Sequence, residues 1–371
     1  MRITLSLTHR CNMACEYCYG GKPFDRDMSL ATAKKIVDWA QEITPPGRII
    51  EYYFFGGEPL LCFERMKEIV DYIREREGDK VAHPTRLSIT TNGTLLTQPI
   101  LDFLEAEDID LCVSLDGPAH VHDLKRRYRD GRGSFDQAAG NLERAVDQLD
   151  RVQANAVFGP ETVDSLPESV AFIADLGVSA VHLNADICAS WTPDAYAGLE
   201  KAYEQIADYY IDSYRSGREL AVNLIDSKSI IFMKGGYASQ DKCGMGETEW
   251  GFAPSGNIYP CERFIGEDED SFLCLGNIHT GLDTARRDAL LAYRGNHNEA
   301  CGRCSLEGYC MTWCGCTNFY MTGRTDLAGP MLCASEKALL QAAGHVFSAL
   351  HDNELFVDHL MAYVREGRQY R

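Results

Sequence analysis

Six short β-like runs alternate with amphipathic stretches over the first two hundred residues, and this order restricts the fold more than any other feature. The runs are Ile3–Leu7, Ile49–Phe55, Arg86–Thr91, Asp110–Leu115, Val152–Phe158 and Ala180–Asn184. Between them apolar residues recur at helical spacing over Ser29–Ile43, Glu64–Glu75, Gln98–Glu107, Phe135–Leu149 and Val163–Leu176, with Ser29 placed as an N-cap. Antiparallel neighbours can be joined by a tight hairpin, whereas parallel ones need a crossover. The alternation therefore predicts an α/β fold with a parallel sheet and right-handed connections. Chemistry in such folds gathers at the carboxyl ends of the strands. Four conspicuous loops follow strands here: Cys11–Cys18, Gly56–Pro59, Asn92–Gly93 and Asp116–Pro118.

From Thr192 to about Lys242 the pattern turns helical and polar, which divides a core at 1–205 from a helical bridge at 206–242. Residues 243–335 lose periodicity and fill with Cys, Gly and turn residues. Such a segment builds little apolar core, so metal ligation is the natural source of its stability. The tail, 336–371, reads as one or two helices.

Thirty-six basic against fifty-five acidic side chains leave a net charge of −19. That surface repels polyanions, which argues against a nucleic-acid partner and suits a basic peptide as well as it suits simple solubility. With no long apolar run and no export signal, the expectation is a cytoplasmic protein without a membrane anchor. Fifteen cysteines in such a chain indicate metal or iron–sulfur sites rather than disulfides. Three lie at the N-terminus and eight from Cys243 to Cys316, with Cys333 just beyond.

Cys11, Cys15 and Cys18 form a CxxxCxxC motif with Tyr17 before the last cysteine. Three thiolates on one tight loop can hold three irons of a cubane and leave the fourth open; a zinc site or core thiols are the alternatives. Gly56-Gly57-Glu58-Pro59 closes the second β-like run, and Ser114-Leu115-Asp116-Gly117-Pro118 closes the fourth. Together these motifs resemble the radical S-adenosylmethionine (SAM) superfamily. That resemblance implies a partial (β/α)6, TIM-like barrel in which a 4Fe–4S cluster passes one electron to the sulfonium of SAM, giving methionine and a 5′-deoxyadenosyl radical. It further implies that Gly56, Gly57, Glu58 and Pro59 hold the amino group of SAM. Ser114 and Asp116 would contact its ribose or carboxylate, and one of Lys125, Arg126 and Arg127 would supply a cation. Asn92-Gly93 reads as a turn.

The later cysteines run Cys243-x12-Gly256-x4-Cys261, then Cys301-x2-Cys304-x5-Cys310-x3-Cys314, then Cys333. This order resembles the SPASM extension, which carries two auxiliary 4Fe–4S clusters and brings the expected total to three. The resemblance assigns Cys243, Cys261 and Cys314 to the first and Cys301, Cys304, Cys310 and Cys333 to the second. Anaerobic sulfatase-maturating enzymes have a further cysteine where Tyr237 stands, so the first cluster has either an open iron or Cys316 as a ligand. Glu262 occupies the place of their acidic general base. Cys62, Cys112, Cys188 and Cys274 read as core packing, and no histidine pattern suggests a role.

What these resemblances imply is an oxidoreductase that modifies a ribosomally made peptide, one containing cysteine, closing a thioether or other crosslink. Formylglycine formation on a sulfatase is the alternative, and a non-catalytic iron–sulfur scaffold or partner protein stands as the reading of another class. A low-potential donor such as flavodoxin or ferredoxin would supply electrons. Ten residues precede Cys11, so no fused leader-recognising domain is expected before the barrel.

Overall fold

The computed structural model describes residues 1–77, 83–292 and 297–366; residues 367–371 of the expected tail lie outside the described residues. Along the chain, β1 (Arg2–Ser6), α1 (Leu30–Ile43), β2 (Ile50–Phe55), α2 (Phe63–Glu77), β3 (Thr85–Thr91) and α3 (Gln98–Ala106) come first. They are followed by β4 (Ile109–Ser114), α4 (Ala119–Lys125), α5 (Phe135–Gln148), β5 (Val152–Phe158), α6 (Leu166–Asp175) and β6 (Ala180–Ala185). Next are α7 (Pro193–Arg215), α8 (Asn223–Lys234), β7 (Glu249–Phe252), β8 (Ile258–Tyr259), β9 (Gly276–Asn277) and β10 (Gly281–Leu282). Helices α9 (Thr284–Ala292), α10 (Gly315–Thr322), α11 (Pro330–Leu350) and α12 (Glu354–Glu366) complete the order. All six expected strands are present, displaced by at most one residue at either end. Two compact units result.

The first unit gathers Met1–Ser114, Asp123–Val152 and Gly244–Tyr293. Its strands lie in the order β4-β3-β2-β1-β7-β8, parallel except for β8 against β7. Helix α1 starts where expected because the Ser29 hydroxyl accepts from Thr32 N at 3.0 Å. One side of the sheet is apolar and closed: Ile3, Leu5, Tyr52, Phe54, Leu87, Ile89, Leu111 and Val113 are buried, as are the helix residues Ile36, Val37, Ile69, Val70 and Ile73. Each fully buried aliphatic side chain of this layer contributes about 1.5–3 kcal/mol. The opposite side carries Thr4, Ser6, Tyr53, Ser88, Thr90, Asp110 and Cys112. A parallel sheet packed by helices on both faces would be apolar on both. The polar face of this one is reserved for something other than core.

Residues 244–293 depart from expectation. Instead of irregular chain they supply β7, which pairs with β1 over Arg2–Leu5. Trp250 and Phe252 are buried and meet Trp39 edge-on, each with ring centroids 5.3 Å apart. Four residues are too few to show a period, and their partner strand lies at the other end of the sequence. Metal ligation is thus not the sole support of this segment.

The second unit gathers Leu115–His122, Gln153–Cys243 and Arg294–Arg371. Strands β5 and β6 pair in parallel. Helix α7 buries Tyr203, Tyr210 and Tyr214, and the Tyr203 hydroxyl lies 3.0 Å from Ser335 Oγ on α11. The boundaries expected at 205/206 and 335/336 fall inside α7 and α11. No helix among the described residues is long and apolar enough to cross a membrane.

Candidate active site

In the first unit, the loop leaving β1 is held from two sides. On one side the Thr8 hydroxyl donates to Asp27 Oδ1 at 2.5 Å, and Arg10 grips the same carboxylate through Nε at 2.8 Å and Nη2 at 2.6 Å. On the other, Ala14 N donates to Arg127 O at 2.9 Å and Glu16 N to Lys125 O at 3.1 Å. Lys125 Nζ also meets Glu16 at 2.8 Å, and Arg126 Nη1 donates to the Tyr17 hydroxyl at 2.9 Å. The basic stretch Lys125–Arg127 therefore braces the cysteine loop, and Arg126 is buried rather than part of a solvated face.

Gly56 and Gly57 form the floor under this loop. Gly57 N donates to Thr8 O and Glu58 N to Arg10 O, both at 2.8 Å. A Cβ on Gly56 (φ +133°) would fall 2.5 Å from Thr8 O, and one on Gly57 2.3 Å from Arg10 O. The close approach these glycines permit is to the cysteine loop itself. Glu58 is fully buried. Its Oε1 accepts from Thr91 Oγ1 at 2.7 Å and Leu60 N at 3.1 Å, and its Oε2 from Asn92 N at 2.8 Å. Those three bonds leave about one acceptor site of the roughly four on a carboxylate. Pro59 opens a short 3-10 turn that Glu58 caps.

Asn92 is more than a turn residue. Its Nδ2 donates to Asn12 Oδ1 and Asn12 Nδ2 donates to Thr94 Oγ1, both at 2.8 Å, so the end of β3 holds the middle of CxxxCxxC. Burial pushes the Cys11 thiol up to about 12; the Met13 N–H opposes this, while Glu58, Cys15 and Cys18 add to it. Three thiols and a carboxylate this near one another cannot all ionise without positive charge between them, so this donor set fits an iron–sulfur group. Among the described residues, no cluster of His, Cys, Asp and Glu is arranged around a single metal ion.

Glu262 reaches the polar face of the sheet. Gly251 of β7 makes room, since a Cβ there would lie 3.0 Å from the backbone of Cys261 and Glu262. Cys261 Sγ lies 3.3 Å from Glu262 Oε2. The Arg2 guanidinium covers the Tyr53 ring at 4.4 Å, and the Tyr53 hydroxyl donates to Thr90 Oγ1 at 2.8 Å. Tyr19 stacks on Phe55 at 6.1 Å and under Arg263 at 6.0 Å. Cys112 shares this face with Thr90 and is pushed up by burial to about 11; it is not a core thiol. Cys188 is exposed, whereas Cys62 and Cys274 are buried as expected. Ser114 ends β4 and is buried.

In the second unit Asp116 is buried. Its Oδ1 accepts from Val157 N at 3.0 Å, and its own N–H donates to His122 Nδ1 at 3.3 Å. A Cβ on Gly117 (φ +144°) would meet Ser169 Oγ at 2.2 Å. The SLDGP turn is therefore tied to β5 and α6.

The remaining cysteines of this unit form two neighbourhoods. Cys304 N donates to Cys301 O at 2.8 Å. Cys310 is pushed up to about 12, first by burial and then by Glu336, Cys304 and Cys333, with Lys228 opposing. Three thiols pressing on one another again fit a cationic cluster. Elsewhere in the unit, Cys314 Sγ lies 3.5 Å from Cys316 Sγ and 3.3 Å from Thr317 Oγ1. Trp313 packs edge-on against Tyr237 at 5.3 Å, and its buried indole N–H has no hydrogen-bond acceptor among the described residues. Cys243 belongs to this unit as well, and Cys261 to the first. Sequence reasoning passed over Asn12, Thr94, Lys228 and Glu336, whose contacts have no local signature, and read Asn92 only as part of a turn.

The family model described as the radical SAM superfamily matches residues 5–186. Over 188 residues the chain is 33% identical to the uncharacterized protein MJ0907 of Methanocaldococcus jannaschii, covering 49% of this chain and 61% of that protein's length. Over 339 residues it is 28% identical to the mycofactocin maturase MftC of Mycolicibacterium smegmatis, covering 88% of this chain and 81% of MftC. The solved structure of anSMEcpe with bound AdoMet superposes with a TM-score of 0.82 at 18% identity, over 100% of this chain and 99% of that one. The same enzyme has been solved with both AdoMet and the Cp18Cys peptide, at a TM-score of 0.75 and 16% identity, over 97% and 99% of the two chains. With Thr8 and Arg10, at the entry to the cysteine loop, seated on the Gly56–Gly57 floor inside the matched segment, residues 5–186 are a radical SAM domain.

Proposed function

We propose that this enzyme oxidatively modifies a ribosomally made peptide, closing a thioether or another crosslink after hydrogen abstraction from a carbon atom. The observation that carries the reading is the cysteine loop locked to Gly56–Gly57 and Asn92 within a unit whose sheet keeps one face polar. Likeness to MftC over most of both chains supports a peptide maturase. When bound, the cluster and SAM supply a carbon radical strong enough to take hydrogen from an unactivated C–H bond. The chain's own residues do the rest. Glu58, Asn92 and Arg126 fix the loop that holds the thiolates, and Tyr19, Tyr53, Thr90 and Arg2 line the polar face where a substrate segment is oriented. Glu262, beside that face, is placed to take a proton from the oxidised carbon's substituent. Ser114 and Asp116 bind SAM at the strand ends.

Two auxiliary clusters, on the cysteines that the SPASM resemblance assigns to them, complete a C-terminal SPASM domain beyond a partial barrel. Such clusters would supply an acceptor for the electron released by the substrate, and a flavodoxin or ferredoxin in a reducing compartment would supply the one that starts the cycle. The test is anaerobic reconstitution with SAM, dithionite and a short Cys-containing peptide encoded nearby. Formation of 5′-deoxyadenosine together with a peptide lighter by two hydrogens supports the reading. Full iron loading without SAM cleavage would leave a scaffold instead. Formylglycine formation is favoured by one observation, the superposition on anSMEcpe along the whole chain; oxidation of a sulfatase-derived cysteine peptide would select it.

A further inference from the structure

We propose that the buried ion pair Lys228–Glu336 is a positioning device that sets Cys310 against Cys333 and so controls assembly of the second auxiliary cluster. The inference rests on the auxiliary-cluster reading above and concerns residues that no motif touches. Lys228 belongs to α8 and Glu336 to α11, and their side chains, 2% and 5% exposed, meet at 2.6 Å. Lys228 Nζ also donates to Tyr309 O at 2.9 Å and contacts the Tyr237 hydroxyl at 3.3 Å. Glu336 Oε2 in turn accepts from Met311 N at 2.6 Å. The carbonyl before Cys310 and the N–H after it are therefore both held by the same pair. Glu336 lies one helical turn beyond Cys333 on α11, so the two share a face of that helix. Through one buried contact, the backbone on both flanks of Cys310 is referenced to the helix that carries Cys333.

An apolar pair would fill this space at lower desolvation cost, since replacing a buried ion pair by matched hydrophobic residues is often neutral or stabilising. What an apolar pair cannot do is hold a carbonyl and an N–H in fixed places. All three ammonium protons have acceptors in Glu336, Tyr309 and Tyr237, which leaves none to give a substrate. Lys228 is thus a positioning residue and not a catalytic one. Tyr237, which stands where related enzymes have a cysteine, acts here as the third arm of the clamp.

The experiment compares the wild-type chain with Lys228→Met, Glu336→Gln, Lys228→Arg and the double variant Lys228→Met/Glu336→Leu. Iron and sulfide per chain, the EPR of the reduced clusters and SAM cleavage without peptide are measured after anaerobic reconstitution. Circular dichroism of the cluster-free chain reports folding. The Met, Gln and double variants are expected to fold, to cleave SAM within about twofold of wild type, and to lose about four irons with the matching EPR signal; Lys228→Arg recovers part of that loss. Full iron in the double variant would overturn the proposal. Unfolding of the double variant would overturn it equally, by showing that the pair holds the fold and not the ligands. A wild-type chain that never binds more than one cluster would instead sink the auxiliary reading, whatever the variants do.

Discussion

A methyl group at Gly57 has nowhere to go, because the Arg10 carbonyl oxygen already occupies its place at 2.3 Å. Gly57→Ala is expected to push the cysteine loop aside, costing roughly 1–3 kcal/mol in thermal unfolding and abolishing 5′-deoxyadenosine formation; a variant with unchanged iron and turnover would contradict this. Glu58→Gln exchanges an acceptor for an amide donor opposite Asn92 N or Thr91 Oγ1. Leaving one buried donor unmet should cost about 1–3 kcal/mol, read as a lower unfolding midpoint with retained iron binding. The glycines and Glu58 were legible as a strand-end loop that approaches something closely. What they approach was not, since residues 8–10 lie in the loop after another strand and close approach depends on register. Asn92-Gly93 shows the same limit: its turn is evident, but the bond to Asn12 exists only once β1 and β3 flank β2.

Helix α12 depends on a histidine for its seat. His359 is buried, with Nδ1 3.0 Å from Glu219 and Nε2 3.5 Å from Asp226, which also accepts from the Tyr210 hydroxyl. Desolvation lowers the imidazolium's affinity for its proton, but the bonds and charges of Asp226 and Glu219 outweigh it, so the pKa lies above the ordinary 6.5. The unfolded chain loses this proton first as pH rises. The clasp therefore stabilises fully below about pH 6.5 and fades as pH climbs through the folded-state value. Melting temperature should fall over the same window in the wild-type chain and stay flatter in His359→Gln, checked by calorimetry across pH. No histidine spacing in the sequence hinted at this, because the two acids come from the stretch before α8 and from α8 itself. Strands were easier: six runs of alternating or apolar residues survived within a residue, as strong periodicity allows. Strand β7 was missed because four residues carry no period, and its Trp250 contributes through Trp39 on α1. Trp250→Ala should destabilise the first unit by about 3–5 kcal/mol, measurable by denaturant unfolding.

At the scale of the molecule, the net charge of −19 favours encounter with a basic peptide over an acidic one. Affinity for a Lys- and Arg-rich peptide should drop severalfold between about 0.05 and 0.5 M salt as the screening length shrinks, measured by fluorescence anisotropy; an unchanged Kd would show that recognition is local and apolar. The placement of β7 has a consequence for biogenesis. Strand β1 leaves the ribosome well before the neighbour on its second edge, Glu249–Phe252, is made. At roughly 5–20 residues per second, the nascent sheet waits for more than ten seconds with a bare row of amides and carbonyls on offer. Pairing with a stray strand during that delay is the hazard, so yield in a host should respond to holdase chaperones and to slower, cooler translation more than to added iron.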